Sequence, residues 1–152
     1  MIIRAMTRAD LTAVTQIEEQ AMSSPWTPAQ LMEELNAPNS LALTAVEDGQ
    51  LCGYAFYRAC PPESELLHLA VHPERQRQQI GTMLLRHGLE LLLSSGCTDC
   101  FLEVRSSNRA AQGLYRKTGF RQTGTRRQYY RQPEEDALLL KKSLDNRSGD
   151  TQ

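Results

Sequence analysis

Long apolar runs are missing from this 152-residue chain. No stretch approaches the ~20 consecutive apolar residues that a membrane-crossing helix requires, so no membrane partner is expected. The opening residues, Met1-Ile2-Ile3-Arg4-Ala5-Met6, hold no extended apolar core of the signal-peptide kind, and a cytoplasmic location is the expectation. An excess of one charge is missing too. Lys plus Arg number 17 against 18 for Asp plus Glu, a net charge of −1, so nothing draws the whole chain toward nucleic acid or an anionic surface. The pair Cys97 and Cys100 forms a C-x-x-C, but no second C-x-x-C and no H-x-x-x-H accompanies it. None of the four cysteines, Cys52, Cys60, Cys97 and Cys100, sits in a nucleophile context. Reduced, mostly buried thiols are expected, with no metal and no covalent cysteine chemistry. Internal repeats, low-complexity tracts and interdomain linkers are absent as well. What remains is a length that fits one domain and buries roughly 70% of its unfolded surface.

Taken in order, residues 2–6 read as a strand. Thr7-Arg8-Ala9-Asp10 offers a cap, and Leu11, Val14, Ile17, Glu18 and Ala21 recur at helical spacing up to about Met22. Ser23-Ser24-Pro25-Trp26 breaks that helix. Thr27 then caps a second, short one with Pro28 at its first position and Gln30 at its third. Trp26 is expected to pack half-buried between the two helices, with a substrate-lining role in the loop as the alternative. Residues 41–47 and 51–58 flank Asp48-Gly49, a two-residue hairpin signal. Cys60-Pro61-Pro62 closes this hairpin and leads to a strand beginning near Glu65.

That strand feeds the stretch around which the chain is organised. Leu66-Leu67-His68-Leu69-Ala70-Val71 is a short apolar run, and His72-Pro73 ends it because a residue before proline is held extended. A polar, amide-rich loop follows, Glu74 to Gln79. From Ile80 the pattern turns helical, through Met83, Leu84, Gly88, Leu91 and Leu92, with Gly96 as the stop. A strand, a loop and a helix start in this order point unpaired N–H groups and a positive dipole end at one spot, which suits a phosphate. A solvated connection would carry the same polar residues, so the loop by itself leaves both readings open. Downstream, residues 101–105 read as a strand and Ser106-Ser107-Asn108 cap a helix over 109–118, stopped by Gly119. Residues 120–125 and 128–130 predict another strand and 137–144 the last. The order is β-α-α-β-β-β-α-β-α-β-β, a mixed α/β sheet in a single domain over 1–144, with 145–152 a loose polar tail.

Gln76-Arg77-Gln78-Gln79-Ile80-Gly81 resembles the acyl-CoA signature of the GNAT superfamily of N-acetyltransferases, with Gln79 where that pattern has its first glycine. The segment from Leu102 to Phe120 resembles it more specifically. L-E-V-R-x-S-N followed by A-x-x-L-Y-x-x-x-G-F is the pattern of the RimI branch, the ribosomal-protein-alanine N-acetyltransferases, and its spacing is intact here. Pro25-Trp26, Arg126-Arg127-Gln128-Tyr129-Tyr130 and Glu135-Asp136-Ala137 resemble further motifs of that branch, so the similarity covers nearly all of the chain except the tail. The resemblance implies the GNAT-type fold, acetyl-CoA as co-substrate with no metal, and the N-terminal alanine of a small-subunit ribosomal protein as acceptor. It implies no direct nucleic-acid partner, and a monomer or weak dimer is expected.

The resemblance also assigns roles. Glu103 would be the general base, acting through water, and Tyr115 the acid that protonates the coenzyme A sulfur. Backbone groups of Leu69, Ala70 and Val71 would hold the pantetheine arm. Arg77, Gln78, Gln79, Ile80, Gly81 and Thr82 would cradle the pyrophosphate, and Asn108 would touch the cofactor near the next helix. The residues themselves leave alternatives. Positions 101, 103 and 105 share one strand face, so Glu103 could be a plain exposed carboxylate paired with Arg105, and Tyr115 a packing tyrosine. Glu65 and His68 are rival bases on their own strand, or satisfied strand residues. Arg126, Arg127, Tyr129 and Tyr130 would form the wall of a peptide groove by resemblance; a charged edge strand or an RNA contact are the other readings. The chemistry favours an N-terminal acceptor. An α-amine with a pKa of about 8 is roughly 10% neutral at pH 7, whereas a lysine near 10.4 is far below about 1% neutral. Acetylation of lysine or a small amine, and a non-catalytic acyl-CoA-binding module, are the competing functions.

Overall fold

The computed structural model describes residues 1–131 and 134–144; the tail expected over 145–152 lies outside the described residues. Its elements are β1 (Ile2–Ala5), α1 (Leu11–Ala21), α2 (Pro28–Leu35), β2 (Ser40–Glu47), β3 (Gln50–Cys60), β4 (Glu63–Val71), α3 (Ile80–Ser94), β5 (Asp99–Arg105), α4 (Arg109–Thr118), β6 (Arg121–Arg131) and β7 (Glu134–Ser143). This is the element order that the sequence pattern predicts. The strands are hydrogen-bonded in the order β1-β2-β3-β4-β5-β7-β6. Two compact units divide the chain, residues 1–58 with 66–88, and residues 59–65 with the described residues from 89 on.

In the first unit the local signals act as read. The Thr27 side chain accepts the Gln30 N–H at 3.1 Å while the Gln30 side chain accepts the Thr27 N–H at 2.8 Å, a closed capping box at the start of α2. Glu47 pairs with Gln50 across the hairpin, and Asp48 (φ 52°) and Gly49 (φ 77°) both take the left-handed conformation that a two-residue turn requires. Val14, Ile17, Leu31, Tyr54, Phe56 and Ala70 are buried together. Each large apolar side chain among them contributes about 1.5–3 kcal/mol by leaving water.

Helix α3 differs from its expected face. Ile80, Leu84, Leu85, Leu89 and Leu92 are buried, whereas Met83 is half-buried and Leu91 is exposed. Arg86, His87 and Glu90 are exposed and mark the outward side, and Met83 and Leu91 lie on or beside it, so the inward stripe runs through Leu85, Leu89 and Leu92 instead. Gly88 lies on the inward side. A Cβ there would lie 2.3 Å from the Tyr57 hydroxyl oxygen, and that hydroxyl donates to the Leu84 carbonyl at 2.9 Å.

In the second unit, Glu63, Ser64 and Glu65 run parallel to Asp99, Cys100 and Phe101, so β4 begins two residues before the expected strand. β5 alternates as expected: Cys100, Leu102 and Val104 are buried, while Phe101, Glu103 and Arg105 are half-buried. Cys52, Cys97 and Cys100 are buried free thiols and Cys60 is an exposed one. The two strand pieces read near 120–130 are one strand, β6. Its pairing with β7 slips between Arg126 and Tyr130, where Gln128 has φ 52°, and that irregularity is what interrupted the sequence pattern.

Candidate active site

One candidate region, in the first unit, is the turn from β4 into α3. Beyond Val71 the chain makes a short 3₁₀ turn, Pro73–Arg75, with His72 Nδ1 accepting the Glu74 N–H at 3.1 Å. Arg75 fixes the loop from below. Its guanidinium pairs with Glu47 on β2 and donates to Gln78 Oε1 at 3.0 Å. Arg77 and Gln79 then have φ of 66° and 63°. The Gln79 carbonyl accepts the Met83 N–H at 3.0 Å, the bond that opens α3. The N–H groups of Ile80, Gly81 and Thr82 therefore have no acceptor within the helix and point out of its positive end. A diphosphate fits such a cradle, because main-chain N–H groups make it and no particular side chain is needed. Gln79, at φ 63°, takes a left-handed conformation that glycine adopts with no Cβ penalty.

Another candidate region lies in the second unit, on β5, α4 and β6. Glu103 stands on the open face of β5, its side chain 26% exposed, with Arg126 Nη1 3.7 Å from its Oε1. Arg105, on the same strand face, reaches Glu135 on β7: its Nη1 lies 3.0 Å from Glu135 Oε1. The Arg105 guanidinium also sits 4.2 Å from the Tyr130 ring centroid. Burial, and then the negative charge of Glu103, push the Tyr130 phenol up to about 12, with Arg105 working against them. Tyr115 is buried on α4 and packs edge-on to Phe120, ring centroids 5.8 Å apart. Burial foremost, then Tyr130 and Cys100, raise its phenol well above the ordinary value, so it holds its proton throughout the physiological range. Glu103, Tyr130 and Tyr115 thus form one neighbourhood.

Helix α4 is delimited on both sides. Asn108 Oδ1 accepts the Ala111 N–H at 3.1 Å, and Gly119, at φ 108°, ends the helix as the Phe120 N–H bonds to the Tyr115 carbonyl at 2.9 Å. Asn108 spends its side-chain oxygen on this cap, its backbone N–H donates to the Arg105 carbonyl at 3.0 Å and its backbone carbonyl accepts the Gln112 N–H at 3.1 Å, which leaves Nδ2 for any cofactor contact. Two residues that the sequence reading gave no role hold the β5–α4 turn. Gln112, buried, donates to the carbonyls of Arg105 (3.1 Å) and Ser106 (3.0 Å). Glu135 accepts from Arg105, from the Ser107 N–H at 3.0 Å and from the hydroxyls of Ser106 and Ser107. The Arg105 hydrogen bond is the largest influence keeping the Glu135 carboxyl below its usual range. A polar residue at a buried helix position and a Glu-Asp pair opening a strand were the available signals.

Residues 11–120 match the acetyltransferase (GNAT) family. The chain belongs to that family. The RimI N-alpha-acetyltransferase of Mycobacterium tuberculosis is 38% identical to it over 146 residues, covering 92% of this chain and 90% of that protein. The ribosomal protein bS18-alanine N-acetyltransferase of Salmonella typhimurium is 34% identical over 140 residues, covering 91% and 94%. In three dimensions, the crystal structure of the ribosomal-protein-S18-alanine N-acetyltransferase from Escherichia coli superposes on this acetyltransferase with a TM-score of 0.88 at 31% identity, covering 94% of this chain and 93% of that one. The rival bases on β4 are placed differently from each other. Glu65 is exposed, whereas His68 has its Nδ1 3.1 Å from the buried Glu18 carboxylate.

Proposed function

We propose that this acetyltransferase moves an acetyl group from acetyl-CoA to the N-terminal α-amine of a protein, with the N-terminal alanine of a small-subunit ribosomal protein as the favoured acceptor. Residues 1–144 work as one cytoplasmic domain, monomeric or weakly dimeric; the family match runs through both compact units. One observation carries the reading: the Leu102–Phe120 motif folds with Glu103 on the open face of β5 and Tyr115 as a protonated phenol on α4. The activity named for the relatives agrees with it.

Bound acetyl-CoA supplies an activated acetyl thioester. The N–H groups at the start of α3 hold its diphosphate, with Arg77, Gln78 and Gln79 shaping the loop, and the backbone of Leu69, Ala70 and Val71 holds the pantetheine arm. Asn108 steadies the cofactor at the head of α4. Glu103, through water, takes the proton that the amine gives up as it attacks the thioester carbonyl directly. Tyr115 returns a proton to the departing sulfur. The segment with Pro25 and Trp26 and the β6 segment from Arg126 to Tyr130 border the acceptor peptide. No direct nucleic-acid partner is proposed for that β6 segment, where Arg105 covers one face of Tyr130 and Arg126 lies 5.0 Å from the Tyr129 centroid. Glu103→Gln and Tyr115→Phe should each lower turnover about 10²-fold or more with acetyl-CoA affinity unchanged, measured by steady-state kinetics and calorimetry. Wild-type turnover in both variants would contradict these roles.

A further inference from the structure

Glu18 is fully buried in α1, and the chemistry above makes no use of it. Burial works to raise its carboxyl, but His68, Tyr54 and the Trp26 N–H outweigh it and hold the group ionised. The partners come from three other places in the first unit. Tyr54 Oη on β3 donates to Oε1 at 2.5 Å, the Trp26 N–H donates to Oε2 at 2.9 Å, and His68 Nδ1 on β4 lies 3.1 Å from Oε2. An ionised carboxylate only accepts, so His68 Nδ1 carries the hydrogen of that contact. The His68 ring is also stacked on Trp26, centroids 3.7 Å apart at 26°. Trp26 meets Phe56 edge-on at 5.7 Å.

Residues 22–27 have no regular structure, and Ser23, Ser24 and Pro25 in this segment are exposed. Trp26 holds the middle of the segment: its N–H and one ring face lead to the Glu18–His68 pair, and its edge meets Phe56, while Met22 packs on the core and Thr27 caps α2. His68 immediately precedes Leu69, Ala70 and Val71 on β4. We propose that Glu18 and His68 are positioning residues that hold Trp26 against β4, so that the acceptor-bordering segment is set in register with the strand expected to carry the thioester arm. This rests on the acceptor role proposed for that segment. The consequence is specific: loosening the pair weakens acceptor binding while cofactor binding and the chemical step stay as they are.

The chain has a single tryptophan, so its fluorescence reports this segment alone. His68→Gln keeps an N–H donor for Glu18 and removes the ring. It should leave Trp26 more open to acrylamide quenching and raise the acceptor-peptide KM about fivefold or more, with kcat and the acetyl-CoA KM within about twofold. Trp26→Ala should raise the peptide KM similarly, and adding His68→Gln to it should change little more. Unchanged peptide KM in both single variants, or fully additive effects in the double variant, would overturn the proposal. A wild-type protein that acetylates no peptide would overturn the proposed function instead, and the quenching comparison would still decide whether His68 holds Trp26.

Discussion

At the scale of single residues, the two departures from a simple reading are Gln79 and Glu18. Gln79 stands where the family's signature has glycine, yet its φ of 63° is the glycine-like conformation. A side chain there works against left-handed backbone by roughly 1 kcal/mol. Gln79→Gly should therefore raise unfolding free energy by about 0.5–1 kcal/mol in urea titrations, and Gln79→Ala should give no gain. Equal stability of Gln79→Gly and the native chain would show that the loop carries no such strain. The sequence shows the missing glycine but not its conformation, which Arg75 and the start of α3 impose. Glu18 was legible only as a member of the helical stripe Leu11, Val14, Ile17, Glu18, Ala21. A carboxylate on an inward face signals a buried network, but its partners lie 8, 36 and 50 residues away in the chain.

At the scale of elements, strands and helices follow from local signals, whereas the faces they bury do not always. The β5 alternation was readable because its period is strict. α3 reads with the wrong stripe, because Met83 and Leu91 recur at helical spacing with buried residues yet lie on or beside the side that the exposed Arg86, His87 and Glu90 mark; on the inward side Gly88 meets Tyr57. Tyr57 is fully buried and its hydroxyl is committed to the Leu84 carbonyl, so it has little room to retreat. Gly88→Ala should cost about 1–3 kcal/mol, seen as a lowered melting temperature, despite alanine's better helix propensity. A neutral or stabilising result would mean that α3 can shift away from β3. The surroundings of Arg105 show the same limit. Its strand face offers Glu103 as a neighbour, but Glu135 from β7 also holds its guanidinium, and no local pattern announces a partner 30 residues on.

At the scale of the whole molecule, the element order and the family were legible because short motifs recur in fixed order along the chain, and the same motifs are the ground for proposing Glu103 and Tyr115 as the catalytic pair. Near-neutral charge and the absence of long apolar runs narrowed the partners before any motif was weighed. The acceptor is the central claim, and mass spectrometry of the purified protein with acetyl-CoA tests it most directly. The acceptors would be peptides with a free N-terminal alanine, N-blocked peptides containing lysine, and spermine. A gain of one acetyl group confined to the free N-termini is the predicted result. Gain on lysine or spermine, or tight acetyl-CoA binding with no gain on any acceptor, would contradict it.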